Sequence, residues 1–344
     1  MGFLFSRQTY DPNRDIPDLN GKVVIVTGAN AGIGAKTVEQ LARHGAKVYL
    51  ACRSEEKAAA AIADIERTSP ALKGQERLVW LPLDLSSVHS AKKAAEEFLS
   101  KEDRLDILIA IWRAYDHGVS PVNNAARLIE DYVIGKEGVE LNVAVNQFGH
   151  FVFTQTLLPL LKETAKRQDA DVRIIAVSSS AYLHPGTTKF GSLEDLNDPQ
   201  APPGKENTMQ NKMLRYGTSK LMNVLFAAEI QRRLDAENAS ITVISLHPGA
   251  VSTESANAAD LPWYVKIYIA TLAMTPLQGA MTSLFAATSS QVAAEREKYK
   301  GKYLEPYGKI AGPATAASKD PLIAKTLWDT TERITAELLK KSSA

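Results

Sequence analysis

Cysteine is almost absent from this chain of 344 residues, and its single copy, Cys52, cannot form an intramolecular disulfide. Because disulfides belong to oxidising compartments, the sequence indicates a reducing compartment, and we expect a cytoplasmic protein. A charge excess is missing too, since 40 basic residues stand against 39 acidic ones and the formal net charge is +1. Nucleic-acid binders normally carry a basic excess, so this balance argues against a nucleic acid as a partner.

Long hydrophobic runs are also missing. Residues 1–20, which we interpret as an N-terminal arm, begin with a short apolar stretch and then become polar. The apolar segment 260–274 is interrupted by Lys266. A membrane span needs about 20 consecutive apolar residues, so we expect neither segment to cross a bilayer. Heptads and internal repeats do not occur, which argues against a coiled coil or a repeat array.

Short apolar runs rich in β-branched residues alternate with helical patterns along most of the chain. The runs predict strands at 22–27, 47–51, 77–85, 105–109, 172–179, 241–248 and 301–306. The helical patterns cover 35–44, 55–67, 87–99, 137–161, 216–234, 277–287 and 320–339. Such alternation specifies a parallel sheet with helices on both faces. Because no linker rich in proline, glycine or serine divides the chain, the sequence predicts one α/β domain over residues 21–344. Its expected architecture is a Rossmann-type doubly wound sheet of about seven strands.

The glycine-rich stretch TGANAGIG, residues 27–34, lies between the first predicted strand and the first predicted helix. Gly28 and Gly32 permit close approach of the backbone, and Gly34 lets the helix pack on the strand. Free N–H groups at the start of the helix can then hold a pyrophosphate. The alternative is an ordinary tight turn, but the placement favours a dinucleotide site, with Thr27 and Ile33 as neighbouring contacts.

The second and third strands end in residues that bear on the choice of cofactor. Arg53 stands where an acidic residue would bind the ribose hydroxyls of NAD, and a guanidinium suits the additional phosphate of NADP. The sequence therefore favours NADP(H), against the alternative of a surface ion pair with a nearby glutamate. Asp84, followed by Leu85, is positioned to accept a hydrogen bond from the adenine amino group. The alternative for Asp84 is a helix cap.

The pentapeptide YGTSK places Tyr216 and Lys220 four residues apart, on one face of a predicted helix. A phenol has an unperturbed pKa of about 10, and a neighbouring ammonium stabilises the phenolate and lowers that pKa. Such a pair can exchange a proton with a carbonyl or alcohol oxygen. The histidines His150, His184 and His247 lack the spacing of metal ligands, so no metal is predicted.

Taken in order, TGANAGIG, Asn146 in VNQFGHF, VSS, YGTSK and HPGAVST resemble the short-chain dehydrogenase/reductase family, over nearly the whole chain from about residue 21. ACRSEEKA and the segment after HPG look most like the branch with retinol dehydrogenases and fungal secondary-metabolite reductases. The resemblance implies an oxidoreductase that moves a hydride between a nicotinamide and a carbonyl or secondary alcohol. We expect a small lipophilic substrate and a role in secondary metabolism, in terpenoid or polyketide biosynthesis.

The resemblance also implies the roles of individual residues. Tyr216 would act as general acid/base, and Lys220 would lower the Tyr216 pKa and bind the nicotinamide ribose. Ser179 would hydrogen-bond the substrate oxygen, and Asn146 would fix a water that links Lys220 to solvent. The residues that match the segment beside the nicotinamide are Pro248, Gly249, Val251 and Thr253.

Two points stay open at this level. Ser178 and Ser180 compete with Ser179, because spacing alone cannot separate three adjacent serines.

The family's fourth strand runs straight into N-N-A-G, whereas here residues 110–122 come first, before the predicted cofactor contacts Asn123 and Asn124. Either the asparagines are displaced, or the chain loops out and returns them to the cofactor, which we favour. An error in the predicted protein sequence would produce the same insertion.

The expected partners follow from the remaining segments. A polar loop at about 181–215 and an apolar lid at about 252–276 are predicted to cover the substrate; peripheral membrane contact and a dimer patch are the alternatives for the lid. A homo-oligomer through the long helices is the family expectation. The alternative function is a non-catalytic NADP(H)-binding sensor or scaffold with the same fold. An epimerase or dehydratase ranks last, because no extra domain for a sugar nucleotide is evident.

Overall fold

The structure, a computed structural model, describes residues 10–111, 131–251, 274–312 and 314–341. Within these residues eight strands form one sheet, in the order β3-β2-β1-β4-β5-β6-β7-β8. The strands are β1 (Val23–Thr27), β2 (Lys47–Cys52), β3 (Leu78–Pro82), β4 (Ile107–Ile111), β5 (Val172–Val177), β6 (Ile241–Leu246), β7 (Tyr303–Glu305) and β8 (Lys309–Ala311). The first seven are parallel and β8 is antiparallel to β7. The predicted fold class is confirmed.

Helices cover both faces of this sheet. They are α1 (Pro12–Asp15), α2 (Gly32–Arg43), α3 (Glu55–Thr68), α4 (Val88–Leu99), α5 (Leu141–Val143), α6 (His150–Thr164), α7 (Leu193–Leu196), α8 (Met209–Ala236), α9 (Pro276–Thr288), α10 (Ser290–Ala294), α11 (Arg296–Tyr299), α12 (Ala316–Lys319) and α13 (Pro321–Lys341). A π-helical turn, Ala144–Gly149, joins α5 to α6, and short 3₁₀ helices occupy Pro70–Leu72, Ser180–Leu183 and Pro306–Gly308. One face carries α2, α3 and α9, and the other carries α4, α6 and α8.

Complete burial explains why the central strands are apolar throughout. Every residue of β1, β4, β5 and β6 is buried, because helices exclude water from both faces. Parallel strands end at the same edge of a sheet, so the loops after β1, β5 and β6 meet at one rim.

Two predicted elements differ from the observed ones, and one observed strand was not predicted. The helix predicted at 137–161 begins only at Leu141, where the buried Glu140 side chain accepts a hydrogen bond from the Val143 N–H. The polar loop predicted at 181–215 is shorter, because α8 starts at Met209. The strand β8 was not predicted, since its three residues have only one neighbour, β7, and depend on a turn with Tyr307 and Gly308 at φ values of 64° and 81°.

The helix α13 covers the outer side of α8. The indole of Trp328 stacks on Phe226 at a centroid separation of 5.7 Å, meets Phe151 edge-on at 4.9 Å, and lies 4.5 Å from the Arg233 guanidinium. Part of the outer surface of α6 and α8 is therefore covered by the chain's own last helix.

The described part of the N-terminal arm packs on the core. Tyr10, Ile16 and Leu19 are buried, and the Tyr10 hydroxyl lies 2.9 Å from Thr288 Oγ1.

Among the described helices, none is long and apolar enough to span a membrane.

Candidate active site

The glycine-rich turn connects β1 directly to α2. Gly28 and Gly32 have φ values of 60° and 57°, in the left-handed region that favours glycine. A Cβ on Gly34 would lie 2.3 Å from Gly28 O, so the turn and the helix can meet only if residue 34 is glycine. The helix begins at Gly32, inside the turn, and Ala31 provides no side-chain cap. Its first N–H groups therefore suit a phosphate, and the binding of a pyrophosphate there stays a prediction.

Two neighbours of this turn are held by contacts that the sequence did not reveal. Thr27 is buried, and its hydroxyl donates to Ile111 O and accepts from Ile111 N, both at 2.9 Å. That hydroxyl joins β1 to β4, so a cofactor contact through it stays a prediction. Ile33 lies beside Gly279, whose added Cβ would be 3.2 Å from Ile33 Cγ1 and 2.5 Å from Val251 Cγ2. Gly279 thus brings two predicted contacts, Ile33 and Val251, to one place.

The residues that end β2 and β3 lie at the same rim. Arg53 is exposed immediately after β2. One carboxylate oxygen of Asp84 accepts hydrogen bonds from the Ser86 N–H at 3.0 Å and the Ser86 hydroxyl at 2.7 Å. The cap of α4 is Ser87, so the alternative role of Asp84 as that cap is wrong. The adenine contact of Asp84 stays a prediction.

Leu85 contacts the start of α6 through backbone atoms. A Cβ on Gly149 would lie 2.2 Å from Leu85 O, so this approach requires glycine. Sequence reasoning passed over Gly149, although it stands in the quoted segment VNQFGHF.

The structure separates the three adjacent serines. The Ser178 hydroxyl is buried and donates to Lys220 O at 2.8 Å, and Ser180 is exposed. Ser179 precedes the 3₁₀ helix Ser180–Leu183, and its side chain shares a hydrogen bond with the Tyr216 hydroxyl. Of the three, Ser179 is therefore the one that meets Tyr216.

Gly217 explains why these two side chains meet. A Cβ at this position would lie 2.5 Å from His184 O and 2.7 Å from Ala181 O. The 3₁₀ helix after Ser179 therefore packs against α8 at a distance that only glycine permits. The sequence analysis did not single out Gly217; its signal is a glycine directly after Tyr216.

Burial controls the protonation of the reactive pair. The Lys220 Nζ atom lies 5.4 Å from the centroid of the Tyr216 ring. Burial raises the pKa of Tyr216, and the hydrogen bond with Ser179 opposes that rise. Burial also lowers the pKa of Lys220 to about 7. In the chain alone, the predicted drop in the Tyr216 pKa is thus outweighed by desolvation.

Asn146 lies in the π-helical turn and contacts α8 twice. Its side-chain Nδ2 donates to Ser219 Oγ at 2.9 Å, and its main-chain oxygen accepts from Asn223 Nδ2 at 2.9 Å. The Ser219 hydroxyl in turn donates to Tyr216 O at 2.8 Å. Asn146 is therefore brought beside the reactive pair, and Ser219 and Asn223 are neighbours that the sequence analysis missed.

The segment after β6 completes the rim. Gly249 has a φ of 90°, and its N–H donates to His247 Nδ1 at 3.2 Å. Pro248 is partly buried, and Val251 forms a single β-bridge with Met274. The remaining predicted contacts, Asn123, Asn124 and Thr253, and most of the lid at 252–276 lie outside the described residues.

The rim therefore combines a glycine-rich turn that suits a phosphate with a Ser–Tyr–Lys group in which Lys220 is buried and Ser179 and Tyr216 are half-buried. Such a combination is typical of nucleotide-dependent oxidoreductases. Comparison with known proteins supports the same class of protein. A family model described as short chain dehydrogenase matches residues 22–189. A short chain dehydrogenase/reductase of Colletotrichum higginsianum, dpchH, is 46% identical, and the alignment covers 100% of this chain and 83% of the relative.

More distant relatives extend the similarity. Human retinol dehydrogenase 14 is 33% identical over 91% of this chain and 86% of its own. A crystal structure of an uncharacterised protein from Mycobacterium paratuberculosis has a TM-score of 0.65 and 26% identity, and the match covers 95% of this chain and 97% of that one. The chain belongs to the short-chain dehydrogenase/reductase family, whose members are oxidoreductases of alcohol and carbonyl groups.

Proposed function

We propose that this protein is an NADP-dependent oxidoreductase that transfers a hydride between C4 of the nicotinamide and a carbonyl or secondary alcohol carbon. The proposed substrate is small and lipophilic, and the proposed setting is cytoplasmic secondary metabolism, in terpenoid or polyketide biosynthesis. The observation that carries the proposal is the hydrogen bond between Ser179 and Tyr216, with Lys220 one helical turn away.

The proposed chemistry needs a proton at the substrate oxygen. In the reducing direction, Tyr216 donates its hydroxyl proton to that oxygen, and in the oxidising direction the tyrosinate takes the proton back. The Ser179 hydroxyl donates to the same oxygen and stabilises the developing charge. Lys220 stabilises the tyrosinate and binds the ribose, and Asn146 fixes the water that leads to solvent. When bound, the nicotinamide supplies or accepts the hydride.

The preference for NADP rests on Arg53. Its exposed guanidinium follows β2, where a ribose phosphate would be bound, and charge-assisted hydrogen bonds of this kind contribute about 1.5–3 kcal/mol.

A homo-oligomer and contact with a membrane surface also remain proposals. The proposed oligomer forms through the long helices, as the family resemblance implies, and Trp328 of α13 covers part of their surface.

The function is tested by turnover and binding in the same preparations. NADPH oxidation is followed against a panel of terpenoid, steroid, retinoid and aromatic ketones, and NADPH binding is measured by fluorescence. Tyr216→Phe is expected to abolish turnover while NADPH affinity changes less than about twofold, because only the proton donor is lost.

Tyr182→Phe serves as the matched control, since the Tyr182 hydroxyl accepts a hydrogen bond from the Ala314 N–H in the same neighbourhood. Full activity of Tyr216→Phe would refute the mechanism. Binding of NADPH by the wild type without oxidation of any ketone would instead support a non-catalytic sensor.

A further inference from the structure

Asn223 continues the stripe of α8 that carries the reactive pair. Tyr216, Lys220 and Asn223 occupy positions i, i+4 and i+7 of one helix, which brings them onto a single face. Asn223 is fully buried, at 0% exposure. The proposed chemistry of Tyr216 and Lys220 gives it no role.

Together with Ser219, Asn223 fixes the π-helical turn. The two residues are four apart on α8; Ser219 holds the Asn146 side chain, and Asn223 Nδ2 donates to the Asn146 main-chain oxygen at 2.9 Å. A π-helical turn shifts the backbone hydrogen bonds by one residue, and such turns occur frequently at functional sites. The Asn146 oxygen has two lone pairs, so it can accept from a second donor beside Asn223 Nδ2.

The other half of the Asn223 amide is unsatisfied. Within the described part of the chain, Asn223 Oδ1 has no hydrogen-bond partner, although the side chain is fully buried. Exchanging the oxygen and nitrogen would set Oδ1 against Asn146 O, so the hydrogen bond to Asn146 fixes the orientation. A buried acceptor without a donor costs about 1–3 kcal/mol, and buried water commonly supplies the donor.

We propose that Asn223 is a positioning residue that holds a buried water between the Asn146 main-chain oxygen, its own Oδ1 and the Lys220 ammonium. The water donates one hydrogen bond to each oxygen and accepts one from Lys220, which satisfies a typical buried water. Asn223 has two functions here, since Nδ2 shapes the turn and Oδ1 orients the water. The inference rests on the proposed function of Tyr216 and Lys220.

The titratable groups around this water are few. Tyr216 and Lys220 face it from α8, and His150 faces Lys220 from α6. Burial and the Lys220 charge hold the pKa of His150 well below its usual value, so His150 is neutral near pH 7. Tyr303 of β7 lies beyond Tyr216, and burial keeps its pKa far above the usual range. A change in the pH profile near neutrality therefore reports on Lys220, whose pKa is about 7.

Two substitutions at Asn223 have opposite expected effects. Asn223→Ala removes the acceptor that orients the water toward the ammonium, so kcat is expected to fall roughly tenfold to a hundredfold, and the alkaline limb of the pH profile to move down by about one unit. Asn223→Asp keeps an acceptor and adds a negative charge, so the same limb is expected to move up. It also loses the Nδ2 donor to the Asn146 main-chain oxygen, so its melting temperature is expected to fall. NADPH affinity is expected to change less than about twofold in both.

Gln147→Ala is the matched control, because Gln147 lies in the same turn but points to Thr331 of α13, with Nε2 3.3 Å from Oγ1. It is expected to lower the melting temperature without moving the pH profile. A wild-type pH profile for Asn223→Ala, or the same shift in Gln147→Ala, would overturn the inference.

A high-resolution crystal structure tests the water without any substrate. We expect a water within hydrogen-bond distance of both Asn223 Oδ1 and Asn146 O, and its absence there would overturn the inference. Lack of turnover with every ketone would count against the proposed function alone, because the crystallographic result does not depend on activity.

Discussion

Gly217→Ala is the most direct test of how the site is assembled. The new Cβ would lie 2.5 Å from His184 O and 2.7 Å from Ala181 O. Ordinary contacts of a Cβ atom begin at 3.4 Å, so the 3₁₀ helix Ser180–Leu183 must withdraw by roughly 0.7–0.9 Å. Ser179 immediately precedes that helix and would move with it, away from Tyr216.

A displacement of this size weakens the hydrogen bond between Ser179 and Tyr216. Misplacement by about 1 Å can cost roughly a hundredfold in rate, so we expect kcat to fall between tenfold and a hundredfold. Overpacking should also lower the free energy of unfolding by about 1–3 kcal/mol. The assays are steady-state turnover of the best ketone in the panel and urea denaturation.

Gly191→Ala is the control for adding a methyl group. A Cβ at Gly191 would lie 3.5 Å from Asp195, an ordinary contact, and neither kcat nor stability should change measurably. Wild-type kcat for Gly217→Ala would refute the reasoning, because the close approach would then not be needed to hold Ser179 against Tyr216.

Three further substitutions test the preference for NADPH, the charge of Lys220 and the packing of α13. Arg53→Ala should weaken NADPH binding by roughly tenfold to a hundredfold and leave NADH binding unchanged, as measured by titration; an equal loss for both cofactors would contradict the phosphate role. Because the folded pKa of Lys220 is depressed to about 7, the unfolded chain binds the extra proton above that pH. Stability should therefore rise between pH 7 and 10 relative to Lys220→Met, by at most about 1.4 kcal/mol per pH unit in urea titrations; parallel curves would exclude this. Trp328→Ala should cost about 3–5 kcal/mol and promote self-association detected by light scattering, whereas Leu322→Ala on the same helix, which is 69% exposed, should do neither.

The parts of this protein that local sequence could predict are those governed by short-range periodicity. Apolar runs and helical spacing in the sequence predict buried strands that alternate with helices, and the fold class predicted from them was right. The geometry of the turn at Gly28, Gly32 and Gly34 could also be predicted, because a strand, a turn and a helix follow one another within a few residues, and its binding of a phosphate stays a prediction. Tyr216 and Lys220 could be paired because one helical turn separates them.

Contacts between elements distant in the chain were decided by the tertiary structure. Spacing could not distinguish Ser179 from its neighbours, and the choice came from Ser178 reaching Lys220 O and from Gly217 admitting the 3₁₀ helix. The hydrogen bond from Asn223 to the Asn146 main-chain oxygen joins residues that are 77 positions apart in the sequence. The periodicity of the sequence indicates which face of a helix or strand is buried. It does not indicate which atoms of other elements contact that face, because those contacts form only when the chain packs. These contacts determine the hydrogen bonds, the desolvation and the pKa values of the site.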